Sequence, residues 1–193
     1  MKKLNLVAVF LLVLTLSVQV FASDYHLTNK RFVLSAISLC AMNETIQNKS
    51  DLDVYVLGDI DVGNELRIFF NQRVGNITLK SIRSGDELPD FVPDVLLLCN
   101  DSKLEEAKEF CRDNSVLSIS NKGEMCQCGV SLAILAKMPK TIEHTHSLQS
   151  VYAKINKKAL FAEGMKFYPQ IMDVAIPVKD SEYEDEIVMV PLF

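Results

Sequence analysis

The chain has 193 residues, a net charge of −5 and 49% apolar side chains. An acidic balance without a basic stripe argues against a nucleic-acid surface, and the length fits one domain with a real core.

Lys2 and Lys3 precede an apolar run from Leu4 to Phe21, and Val20-Phe21-Ala22 offers small residues where a signal peptidase reads. This pattern predicts a secretory signal over residues 1–22, cleaved after Ala22, with an uncleaved membrane anchor as the rival reading. No cysteine follows the run, which argues against a lipoprotein. Lys2 and Lys3 leave with the leader, so 20 basic residues become 18 against 25 acidic ones and the net charge falls to −7. Cys40, Cys99, Cys111, Cys126 and Cys128 all remain, an odd number in a compartment that permits disulfides. Asn-x-Ser/Thr sites at Asn43, Asn48, Asn76 and Asn100 are read as chance.

In chain order, Thr28 or Asn29 caps a predicted helix from Lys30 to Gln47, with Phe32, Val33, Ala36, Ile37 and Cys40 on one face. Leu52–Leu57 reads as a strand closed by Gly58-Asp59, and Val62–Phe70 as a helix. Ile77, Leu79 and Ile82 mark an alternating strand nearer a sheet edge. One helical turn is expected within Ser84–Asp90. Val95–Cys99, a continuous apolar run bounded by polar residues, reads as the central strand covered on both faces. Asp101 or Ser102 caps a helix from Lys103 to Arg112, and Val116–Ile119 is another short strand.

The alternation of strands and helices predicts a mostly parallel sheet with helices on both faces, a Rossmann-like three-layer sandwich of the α/β class. The pattern then changes. Cys128–Ala136 is apolar with no helix after it, and Val151, Ala153 and Ile155 alternate, which predicts an antiparallel ribbon at one sheet edge. A helix over Asn156–Glu163 ends at Gly164, and a short helix over Tyr168–Val174 is entered through Pro169. The single domain is expected over residues 23–178. Residues 179–193 form an acidic tail whose apolar end, Val188–Phe193, either docks back or adds an edge strand.

Three stretches carry a family resemblance: VYVLGD at Val54–Asp59, PDVLLLC at Pro93–Cys99 with VLSIS at Val116–Ser120, and VYAKINKKALFAEGMKFYPQIMDVA at Val151–Ala175. Together they resemble the YfiR family of small exported bacterial proteins, from about Phe32 to Ala175. The third stretch is the most specific. The family's aromatic Trp-Pro motif near the first helix is absent here, its Gly-Gly-Met reads Gln127-Cys128-Gly129, and the acidic tail is extra. The resemblance implies a periplasmic regulator that uses no cofactor and works by protein contact. Its partner would be the periplasmic part of a membrane sensor, either a diguanylate cyclase of cyclic-di-GMP signalling or a sensor kinase. A homodimer is left open, and the family carries over no catalytic residue.

Cys126-x-Cys128 is the most suggestive pair in the chain itself. With His144-x-His146 it offers metal ligands or a thiol enzyme, but the single-residue spacing is narrow for metal and a redox role fits better. In the bland alternative Cys126 lies in a loop and Cys128 begins a buried strand. Cys99 and Cys126 both fall at the carboxyl edge of the parallel strands, which makes Cys99–Cys126 the expected bridge; Cys40 is expected in the core. The run Gly58-Asp59-Ile60-Asp61-Val62-Gly63 follows a strand and opens a helix. It lacks the dinucleotide spacing, and its acids repel phosphate, so Asp59 and Asp61 read as a turn and helix cap. A small-ligand module would use the carboxyl edge near Gly58, Asp59, Asn100 and Ser120.

Overall fold

Four consecutive aliphatic side chains are all satisfied only where a strand is covered on both faces, and Val95–Leu98 lies in such a place. In a computed structural model of the protein, which describes residues 27–136, 151–173, 175–177 and 187–192, every side chain of this strand is buried. In chain order the strands are β1 (Asp51–Leu57), β2 (Arg73–Val74), β3 (Ile77–Gly85), β4 (Val95–Leu98), β5 (Leu117–Ser120), β6 (Leu132–Ala136), β7 (Val151–Asn156), β8 (Ile176–Pro177) and β9 (Ile187–Pro191). The helices are α1 (Asn29–Met42), α2 (Glu44–Gln47), α3 (Ile60–Arg67), α4 (Leu104–Asn114), α5 (Gly123–Gln127), α6 (Lys157–Ala162) and α7 (Pro169–Asp173).

The strands form one sheet in the order β2-β3-β1-β4-β5-β6-β7-β9-β8. Every pair from β3 through β6 is parallel, and the outer pairs on both sides are antiparallel. The expected Rossmann-like α/β sandwich with an antiparallel edge ribbon is therefore present. Because β3 lies outside β1 while β4 lies on its other side, the winding reverses between β1 and β4.

Alternation along the strands sorts side chains to two faces. Val54, Val56, Val95, Leu97, Leu117 and Ile119 pack with α1 and α3 through Phe32, Val33, Ala36, Val62 and Leu66. Tyr55, Leu57, Leu96 and Leu98 pack with Ala107 and Cys111 of α4 and Met125 of α5. Each Val, Leu, Ile, Phe or Met among them contributes about 1.5–3 kcal/mol on leaving water.

Several sequence expectations give way to tertiary contacts. The predicted first helix breaks at Asn43, which pairs with Phe167, while its side chain accepts the Ile46 N–H at 3.0 Å to restart the chain as α2. α3 begins earlier than predicted, because the Asp59 side chain accepts the N–H groups of Asp61 and Val62. Residues 86–91 hold no helical turn. There Tyr55 donates to the Glu87 carbonyl at 2.8 Å and meets Phe91 edge-on, which pins the segment over the second core.

α4 is capped by neither Asp101 nor Ser102; its N-cap is Lys103, without a side-chain cap bond. Cys128 does not begin a strand: α5 precedes it, and β6 starts only at Leu132. The domain does not end at residue 178, since Ile187–Pro191 enters the sheet between β7 and β8. The expected signal peptide lies outside the described residues, as does the acidic stretch 178–186. Among the described residues no helix is long and apolar enough to cross a membrane.

Candidate functional site

Parallel α/β sheets place ligands where the winding reverses, at the carboxyl ends of the strands. Here that point lies between Gly58, after β1, and Asn100, after β4, and the chain fills it with its own atoms. Gly58 has φ +84°, and a Cβ on it would overlap the Asn100 side-chain amide. Only glycine gives both the left-handed turn and the room for that amide. Asn100 donates to the Gly58 carbonyl at 3.5 Å and accepts the Ser102 N–H and hydroxyl at 3.3 and 2.8 Å. Asp59 spends its carboxylate on α3, as the turn-and-cap reading expects. Ser120, fully buried, meets the Met125 sulfur at 2.9 Å and accepts the Lys122 N–H at 3.1 Å. Lys122 in turn reaches Asp101 at 3.4 Å, tying together the loops after β4 and β5. The structure thus brings Gly58, Asp59, Asn100 and Ser120 to one edge, but as packing and turn contacts.

The expected Cys99–Cys126 bridge is not formed, and all five cysteines are free. Cys99 lies at the carboxyl end of β4, but α5 carries Cys126 back to the far end, where Asn156 donates to its carbonyl, and the pleat separates them as well. Cys99 shares the parity of Val95 and Leu97 and packs in the α1–α3 core; Cys126, on α5, packs on the other side with Ala133 and Ile187. Burial pushes the thiols of Cys40, Cys99 and Cys126 up to about 12 and raises that of Cys111, so all four resist ionisation. Cys40 is the core residue expected. Cys128 alone is exposed, where the sequence reading had placed it in a buried strand. His144 and His146 lie outside the described residues, and no metal-ligand cluster occurs among the described ones.

The denser polar chemistry lies at the opposite, amino edge. β7 ends there at Asn156, whose side chain caps α6 through the Ala159 N–H at 2.9 Å and donates to the Cys126 carbonyl at 2.9 Å. α6 then carries the chain across the edge from β7 towards β5 and delivers Glu163. That carboxylate is 1% exposed and accepts from the Ser118 N–H at 3.0 Å, the Ser118 hydroxyl and the Ser131 hydroxyl at 2.6 Å. Ser118 in turn accepts the Ser131 N–H at 2.9 Å. Burial raises the Glu163 carboxyl to about 7 against the opposing pull of Ser118, Ser131 and the nearby Arg112 charge.

Beside this cluster lies a cleft of about 340 Å³, lined by Arg112, Gln127, Cys128, Gly129, Asn156, Lys158, Ala159 and Ala162. The sequence reading missed Glu163, Ser118, Ser131 and Arg112. A signal existed: Ser118 and Ser120 are polar at the positions of β5 that share a face with the apolar Leu96 and Leu98. Compared with known proteins, the chain matches no family model and no curated protein.

Proposed function

We propose that the protein is an exported, periplasmic regulatory domain that acts by contact with a membrane signalling protein. The partner class is a diguanylate cyclase, which the domain represses, or a sensor kinase. The observation that supports this reading best is the filled carboxyl edge. Where an open α/β sheet would hold a substrate or nucleotide, Asn100 lies on Gly58 and Ser120 is bonded inward. The same observation disfavours a ligand module at that edge. The stretch Val151–Ala175, which carries the resemblance to the YfiR family, builds β7, α6 and α7 and seats Glu163, so the resembling residues are structural. Cysteine burial adds that redox control, if part of the function, runs through Cys128 and not through a core disulfide.

The test is capture from solubilised cell envelope with the tagged mature chain, under reducing and non-reducing conditions. Recovery of a membrane cyclase or kinase under either condition is expected. Recovery of no membrane signalling protein under both would remove the proposal.

A further inference from the structure

We propose that the amino-edge cleft binds a small organic acid, with its oxyanion head on Arg112 and its short apolar body against Ala159 and Ala162. The inference stands independently of the protein-contact reading. The charged residues lining the cleft are Arg112 and Lys158, both basic, in a chain of net charge −5. Among the described residues no carboxylate lies within ion-pair distance of Arg112. The nearby negative group, Glu163, is buried with both oxygens already engaged by Ser118 and Ser131.

The guanidinium is held in place by the turn beneath it. A Cβ on Gly129 would come within 3.2 Å of Arg112 Nη2 and of Lys108 Cε, so bare backbone lets both side chains lie against the turn. Lys108 itself pairs with Glu105 at 2.7 Å, which leaves Arg112 to face the cleft. A planar guanidinium presents paired donors that match a carboxylate or a phosphate. The volume of about 340 Å³ sits at the low end for small-molecule sites and excludes a dinucleotide.

Cys128 lines the same cleft and is the one exposed cysteine, so its alkylation rate reports occupancy. The experiment follows iodoacetamide modification of the full mature chain in the presence of succinate, inorganic phosphate, or sodium chloride at matched ionic strength. Succinate at four times its Kd is expected to slow alkylation about fivefold. Protection by phosphate but not succinate would still support the site and would assign it a phosphate head. Arg112→Gln is expected to weaken protection about tenfold, with part restored in Arg112→Lys. Arg112 is exposed, so both variants should fold, and far-UV circular dichroism checks this. Equal slowing by chloride, no slowing by either anion, or full protection in Arg112→Gln would each overturn the proposal.

Discussion

The Glu163 carboxylate accepts the backbone N–H of Ser118 at 3.0 Å, across 45 residues of sequence. Two forces oppose each other in that contact. Three donors favour the ionised acid, whereas burial at 1% exposure favours the neutral one. Burial wins, and the group titrates near 7 instead of at its ordinary 4.5. Between those values the folded chain holds a proton that the unfolded chain has released, so stability falls as pH rises through the window. The full effect is present below 4.5 and lost above about 7, and the shift corresponds to about 3 kcal/mol. Glu163→Gln mimics the neutral acid and removes this slope. Urea unfolding of both proteins between pH 4.5 and 8 should show the wild type losing about 3 kcal/mol relative to the variant; parallel pH profiles would defeat the assignment.

The closure of the carboxyl edge makes a second prediction. Gly58→Ala must hold an L-residue at φ +84° and push the Asn100 amide aside. The backbone cost is about 1 kcal/mol, and displacing the part-buried Asn100 contact brings the total to about 2–3 kcal/mol. Asn100→Ala removes the obstacle, so the double variant should lose less than the sum of the single losses. A denaturant double-mutant cycle measures this directly. Strict additivity would mean that the two residues do not press on one another.

Residues in sequence order made the parallel part of the sheet legible, because a run such as Val95–Leu98 has few other uses. The Val151–Ile155 alternation and the Gly164 stop were equally plain. What local pattern did not show is contact made by distant chain. Asn43 breaks a continuous helical face because Phe167 pairs with it, and no periodicity in the first helix reports that. Cys99 and Cys126 both follow parallel strands, but a bridge depends on where the following chain carries each thiol, and α5 takes Cys126 back to Asn156. Cys99 follows β4 on the α1–α3 face, whereas α5 sets Cys126 on the other side. Glu163 reads in the sequence only as the last residue of a helix ended by Gly164, and its bonds to Ser118 and Ser131 are made across distant chain.

Thiol chemistry checks that topology. In the native chain a small disulfide reagent should modify Cys128 at once and leave Cys40, Cys99, Cys111 and Cys126 unmodified until denaturant is added. Burial holds Cys99 and Cys126 up to about 12, so raising the pH to 9 should not expose them to reaction before unfolding. Peptide mapping without reductant should return Cys99 as a free thiol. A Cys99–Cys126 peptide pair would require the α5 turn to pack on the other face of the sheet.

The last strand makes the strongest claim about the extent of the domain. β9 pairs along all of β7, from Tyr152 against Pro191 to Asn156 against Ile187, and Val188, Val190 and Leu192 reach the main core. A chain ending at Pro177 would lose these three and the equally buried Ile187, worth about 1.5–3 kcal/mol each, and leave the outer side of β7 without a strand partner. An exposed edge of that kind recruits other chains. The truncated protein should therefore unfold at markedly lower urea and self-associate in light scattering, while the full chain does neither. Val188→Asp with Val190→Asp separates this effect from loss of the acidic residues that precede the strand. It keeps that charge, buries two carboxylates without partners, and should reproduce the instability. If the truncated chain were as stable and as monodisperse as the full one, β9 would be an accessory to the sheet and the domain would end before it.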